Sequence, residues 1–228
     1  DLPEISKSER VGACIVKPGK FVAIGLNYFD HAKETGAKPP AEPIVFMKAT
    51  SSISGPNDDI EIPKHSSKLD WEVELAVVIG KETKNISEEE ASSYIFGYCA
   101  VNDISEREWQ LEKSGQWVKG KSADTFGPTG PYLVTQDEIP DINNLNLILE
   151  VNGKKMQSGN TKNMIFNVNF LISYLSKFMS LQPGDLITTG TPAGVGMGMK
   201  PQVFLKSGDN IKLSIDFLGE QNSKVVIK

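Results

Sequence analysis

The sequence predicts a mixed, mostly β fold (α+β) with short helices at its periphery. Three observations carry this reading. Apolar, β-branched runs outnumber the helical segments, turn signals recur between them, and no linker divides the chain. With 228 residues, 39% apolar and 23% charged, the chain is long enough to bury a core and too apolar to be disordered.

The elements follow in order. Residues 1–20 are polar and turn-rich, with Pro18-Gly19 as a turn, and read as a connecting segment to one domain over 21–228. Residues 21–26 predict a short buried strand, leaving through Asn27-Tyr28-Phe29-Asp30 into a helical turn. Three prolines within 36–43 exclude a helix there. An extended segment restarts over 43–47, and 55–59 makes a turn. Residues 72–79 are β-branched and apolar, hence a strand. Ser87 and Glu90 stand in capping-box spacing and predict a helix over 86–94. A short strand follows at 98–101. Ser105 and Glu108 repeat the capping signal and predict a polar helix to about residue 113. Residues 114–131, rich in glycine and proline, predict an ordered loop. Asn152-Gly153 between 145–151 and 154–157 is the strongest hairpin signal in the chain. Val168, Leu171, Ile172, Leu175 and Phe178 recur at helical spacing across 167–179. Pro183-Gly184-Asp185 then turns into a strand over 186–189. After a Gly-rich stretch at 190–198, a strand pair over 210–217 and 224–227 ends the chain.

Composition excludes several functions. Lys plus Arg is 24 and Asp plus Glu is 29, a formal charge of 24 − 29 = −5, with no basic stripe. Nucleic acid and anionic membrane are therefore poor partners. The longest clean apolar run, 75–79, cannot span a bilayer, and no signal peptide opens the chain. Cys14 and Cys99 are two lone thiols without CxxC spacing, which fits a reduced, cytoplasmic protein. The chain opens on Asp1 rather than Met, so a preceding N-terminal segment is expected to be missing from it. Only two histidines are present, which excludes a three-histidine zinc site. Any metal must be held by carboxylates, and that points to Mg²⁺, Mn²⁺ or Ca²⁺.

Glu72 and Glu74 lie two apart on an expected strand, so both leave one face. On a mostly buried strand they repel and lose hydration, and either basic side chains or a cation must compensate. The alternative is a solvated strand start. Asp103 sits where a strand gives way to the next element, and a third carboxylate would leave three octahedral positions open. Without a cation, three such charges in one pocket predict at least one raised pKa. Arg107 and Gln110, three apart, share a face and suit a carboxylate anion, or else an exposed helix flank. Lys121 lies in a Gly-rich loop, and Thr191 in Thr188-Thr189-Gly190-Thr191-Pro192 offers hydroxyl and amide groups. Each of these is weak evidence alone. His31 and Glu34, at i and i+3, can hydrogen-bond so that the carboxylate fixes the imidazole tautomer, although a lone histidine is more often structural.

Together the segments 25–34, Asp70-Trp71-Glu72-Val73-Glu74-Leu75, Val101-Asn102-Asp103-Ile104-Ser105, 120–128 and 183–192 resemble the fumarylacetoacetate hydrolase family from about residue 21 to 226. The resemblance implies a β-rich roll, or mixed β-sandwich, and a homodimer. It implies a divalent cation on Glu72, Glu74 and Asp103, a water-activating dyad of His31 and Glu34, and Lys121 beside the reacting atoms. Arg107, Gln110, Lys121 and Thr191 would hold a small-molecule 2-oxo acid. The stretch 105–117 looks most like the subgroup acting on acylpyruvates and 2,4-diketo-3-deoxy sugar acids. The expected reaction is hydrolysis of a C–C bond to pyruvate and a carboxylic acid. Isomerisation of 2-hydroxyhepta-2,4-diene-1,7-dioate, oxaloacetate decarboxylation and ureidoglycolate lyase activity are the alternatives.

Overall fold

The computed structural model describes residue 6 and residues 9–228; residues 1–5, 7 and 8 of the expected connecting segment lie outside the described residues. The remainder of that segment forms no helix or strand and is pinned by two ion pairs, Arg10–Asp58 and Lys20–Asp185, each at 2.6 Å.

Two β-sheets share the main core. The six-stranded sheet runs Val134–Thr135, Ile95–Asn102, Val73–Ile79, Leu186–Thr188, Phe21–Gly25, Ile44–Lys48. Neighbours are antiparallel except Phe21–Gly25 beside Leu186–Thr188. The five-stranded sheet runs Lys154–Asn160, Asn146–Val151, Asn210–Ile215, Gly219–Val226, Ile60–Glu61, and only the last pair is parallel. Alternation along Val73–Ile79 explains how they pack. Val73, Leu75, Val77 and Ile79 join a cluster with Leu147, Leu149, Ile211 and Leu213 of the second sheet. Ala76 and Val78 turn to a smaller cluster with Phe21, Cys99, Val101 and Leu186. Period two places Glu74 on this second face, away from the shared core. The expected mostly β, mixed-sandwich fold is the observed one.

Several elements match their sequence signals. Asn152 and Gly153, both at positive φ, close the hairpin between Asn146–Val151 and Lys154–Asn160. Asn167 caps the Val168–Ser176 helix by accepting from the Phe170 N–H. Three expectations are corrected. Ser87 and Glu90 do form reciprocal capping bonds, at 2.9 and 3.3 Å, but only a 3₁₀ turn, Ala91–Tyr94, follows before the next strand begins at Ile95. Ser105 caps nothing: it lies in a two-residue strand paired with Leu69–Asp70, and its hydroxyl donates to the Asp103 carbonyl. The chain then enters a π-helical turn, Glu108–Glu112. The expected loop at 114–131 contains a helical turn, Val118–Lys121. The two cysteines are free as expected, and the N-terminal segment folds back so that Cys14 packs against the small cluster that holds Cys99. Among the described residues, no helix is long and apolar enough to cross a membrane.

Candidate active site

The candidate residues other than Thr191 converge on one end of the six-stranded sheet through five backbone segments. The Phe21–Gly25 strand leaves through Leu26 and Asn27 into the Phe29–Thr35 helix, which carries His31 and Glu34. Asn27 fixes that exit: its amide donates to the Phe166 and Thr189 carbonyls, and its carbonyl oxygen accepts from the Phe166 N–H. Glu72 and Glu74 come from the start of the central strand, and Asp103 follows the adjacent one, its N–H donating to the Glu72 carbonyl at 2.9 Å. Arg107 and Gln110 come from the π turn, and Lys121 ends the helical turn Val118–Lys121. The last two segments can touch only because residue 120 is glycine. A Cβ there would lie 2.5 Å from both the Gln110 nitrogen of the π turn and the carbonyl oxygen of Glu106 just before it.

The charges interlock. Arg107 donates from Nε to Asp70 Oδ2 at 2.8 Å, from Nη1 to Gln110 Oε1 at 2.9 Å and from Nη2 to Glu72 Oε1 at 2.6 Å. Three of its five N–H groups are engaged, leaving two for a ligand. Lys121 Nζ lies 2.7 Å from both Glu72 Oε2 and Asp103 Oδ2. Lys48, buried at the end of its strand, reaches Asp103 Oδ1 at 2.6 Å and donates also to the Lys121 carbonyl. Burial works against the Glu72 charge, but Lys121 and Arg107 outweigh it and hold the carboxyl below its ordinary range.

One oxygen each from Glu72, Glu74 and Asp103 lies within 4.8 Å of the other two. The sequence alone left open whether basic side chains or a cation offsets these charges, and the structure supplies the basic side chains in part. Asp70, Glu72, Glu74 and Asp103 face Lys48, Arg107 and Lys121, a local sum of −4 + 3 = −1. The imbalance sits on Glu74. It accepts from the Gly190 N–H at 2.8 Å, and among the described residues it forms no ion pair. Burial first, then Asp103 and Glu72, push its carboxyl well above the ordinary range. A buried carboxylate with no basic partner, in an all-oxygen donor set, fits a hard divalent cation.

His31 Nδ1 is 3.2 Å from Glu34 Oε2, and Glu34 Oε1 accepts from the Gly194 N–H at 2.9 Å. Glu34 thus occupies Nδ1 and leaves Nε2 as the nitrogen for the cavity. That cavity, about 270 Å³, is lined by His31, Glu72, Glu74, Arg107, Gln110, Lys121 and Thr191, so nine of the expected site residues meet there or lie one contact away, as Glu34 and Asp103 do. Thr191 donates its hydroxyl hydrogen to the Val73 carbonyl and accepts from Gln157 Nε2, so in this arrangement the hydroxyl ties down its loop and offers no proton to an anion.

Sequence reasoning missed two residues. Lys48 lies on an edge strand where alternate residues are exposed, and a lysine there reads as a solubilising group. The need for basic compensation near Glu72 was the one available signal. Asp70 accepts from Arg107 and from the Gly196 and Met197 N–H groups, which ties the π turn to the 194–198 loop. Nothing local in Asp70-Trp71 announces that long-range role.

Comparison with known proteins agrees with this geometry. A Burkholderia ambifaria protein provisionally named a hydrolase is 61% identical over 221 residues, covering 96% of this chain and 78% of that protein. A fumarylacetoacetate hydrolase structure from the psychrophile Exiguobacterium antarcticum is 40% identical with a TM-score of 0.92, covering 99% of this chain and 81% of that one. A 2-hydroxyhepta-2,4-diene-1,7-dioate isomerase structure from Mycobacterium marinum is 39% identical with a TM-score of 0.83, covering 95% and 77%. The sequence profile of the fumarylacetoacetate (FAA) hydrolase C-terminal region matches residues 20–226. This chain, with its carboxylate cluster and its His–Glu pair around one cavity, belongs to the fumarylacetoacetate hydrolase family.

Proposed function

We propose that the protein is a Mg²⁺- or Mn²⁺-dependent hydrolase that cleaves a C–C bond in 2,4-dioxo acids, giving pyruvate and a carboxylic acid. The observation that carries this reading is the meeting, around one cavity, of a carboxylate cluster whose Glu74 forms no ion pair among the described residues, a histidine oriented by a glutamate, and cations with N–H groups to spare. Glu72, Glu74 and Asp103 would hold the cation, which supplies Lewis-acid polarisation of the 2-oxo group.

The chain's own groups account for the rest. The two unengaged Arg107 N–H groups and the Gln110 amide face the substrate carboxylate. His31 Nε2 takes a proton from water, and Glu34 stabilises the imidazolium at Nδ1. The hydroxide adds to the 4-carbonyl carbon. The C3–C4 bond breaks with its electron pair on C3, releasing the acid and the pyruvate enolate, which is then protonated at C3. Lys121, whose third N–H is not committed to Glu72 or Asp103, faces the developing enolate charge. Incubation with an acylpyruvate and Mg²⁺ should yield pyruvate and acid in equal amounts; absence of both refutes the reading.

The Mycobacterium marinum relative supports a second reading, isomerisation, with the same head site and His31 moving a proton between carbon and oxygen. A His31→Ala variant that loses hydrolysis but retains partial oxaloacetate decarboxylation supports the division of labour in the hydrolytic reading.

A further inference from the structure

Beyond the acid-binding head, the cavity changes character. Its remaining wall is mostly apolar, led by Ile24, Ile44, Phe46, Leu111, Trp117 and Met197, and the hydroxyl of Thr35, which also lines it, donates to the His31 and Ala32 carbonyls. The order of contacts shows which way this wall runs. Lys121 Nζ lies 5.2 Å from the centroid of the Phe46 ring, the Phe46 and Trp117 rings meet edge-on at 5.2 Å, and Trp117 rests against Gly25 beside Ile44. The wall therefore starts at the cation that faces the reacting carbons and leads away from it.

The cations of the cavity are Arg107 and Lys121, and both are fastened to the head through Asp70, Glu72, Gln110 and Asp103. The apolar wall carries no counterion for a second carboxylate and no array of donors for hydroxyl groups. A charge or a run of hydroxyls placed against it loses hydration with nothing in return. The volume, about 270 Å³, suits a compact ligand.

We infer that the substrate tail is a short, uncharged, apolar acyl group, and that Phe46, Leu111 and Trp117 select it against dicarboxylates and polyhydroxylated sugar acids. The inference rests on the 2-oxo acid head assigned above and narrows it to acylpyruvates with hydrocarbon tails.

The test uses the full chain with saturating Mg²⁺ and reads ligand binding by isothermal titration calorimetry. The matched pair is 2-oxohexanoate and 2-oxoadipate, equal in length and differing by a terminal carboxylate, with pyruvate as the head alone. The expected result is at least about tenfold tighter binding of 2-oxohexanoate than of 2-oxoadipate. Trp117→Ala should weaken 2-oxohexanoate by roughly tenfold or more and leave pyruvate unchanged, which a general structural defect would not do. Leu111→Arg, at an exposed position on the π turn, should move the preference toward 2-oxoadipate by about tenfold. Equal binding of the pair, or preference of the unmodified protein for 2-oxoadipate, overturns the tail inference while the head stands. Binding of none of the three acids overturns the head assignment and the inference with it.

Discussion

Lys48 Nζ lies 2.6 Å from Asp103 Oδ1, with no solvent exposure of either side chain. A lysine from the edge strand thus supplies half of the compensation for a carboxylate at the centre of the site, and Lys121 supplies the other half. Removing one partner of such a pair leaves an uncompensated buried charge. Lys48→Met should lower stability by about 3 kcal/mol. For a chain of this size that is on the order of 6–12 °C in melting temperature. A melting curve within 2 °C of the unmodified protein would contradict the role assigned to Lys48.

Glu74 gives a pH-dependent prediction. Its folded-state carboxyl is raised above the ordinary value of 4.5, chiefly by burial. The folded protein therefore holds a proton that the unfolded chain has released, and stability falls as pH rises above 4.5 through the folded-state value. Glutamine carries no such penalty. In EDTA, Glu74→Gln should melt higher than the unmodified protein at pH 8, and the gap should shrink as pH approaches 4.5. Added Mg²⁺ should reverse the order, because binding to the folded state alone adds ~2.7 kcal/mol at a hundredfold excess over Kd. Melting curves that respond to neither EDTA nor Mg²⁺ would remove the case for a cation on these carboxylates.

Gly25 is the seat of Trp117. A Cβ at residue 25 would fall 2.4 and 2.9 Å from two atoms of the indole ring, closer than real Cβ contacts allow. The half-buried ring, not the backbone of the strand, is the part that can yield. Gly25→Ala should keep the fold at a cost of about 1–3 kcal/mol. It should shift the near-ultraviolet circular dichroism of Trp117 and weaken binding of 2-oxohexanoate more than of pyruvate. An unchanged tail preference together with a shifted tryptophan signal would detach Trp117 from specificity.

The sequence was legible where local pattern and tertiary packing agree. The β-branched, apolar run over 72–79 located the central strand, period two gave the shared face of Glu72 and Glu74, and Asn152-Gly153 located a hairpin, because composition, period two and positive φ are properties of a few consecutive residues. The Ser105/Glu108 spacing misled because both residues are engaged elsewhere, the Ser105 hydroxyl by the Asp103 carbonyl and its backbone by a strand partner. Ser105 sits in a strand pair with Asp70, and the Glu108 carboxylate accepts from Ser67. Those bonds outweigh a helix start and let the chain enter a π turn, which still places Arg107 and Gln110 in contact at 2.9 Å. The pairing of Lys48 with Asp103, 55 residues apart, has no local trace at all.

The dyad gives the last prediction. Glu34 Oε2 accepts from His31 Nδ1, which places the ring proton there and leaves Nε2 as the basic nitrogen facing the cavity. Glu34→Gln keeps the shape and can still accept from the Gly194 N–H through its carbonyl oxygen. Its amide then points N–H groups at Nδ1. Nδ1 must become the acceptor, the ring proton moves to Nε2, and the imidazole can no longer take a proton from water. We expect kcat for hydrolysis to fall by roughly 10²–10⁴. The melting temperature, its response to Mg²⁺ and the affinity for pyruvate should stay unchanged. Since both residues act through one proton transfer, His31→Ala combined with Glu34→Gln should lose no more than His31→Ala alone. A Glu34→Gln enzyme keeping more than about a tenth of its activity, or a double variant whose losses multiply, would show that the two side chains do not work as a unit.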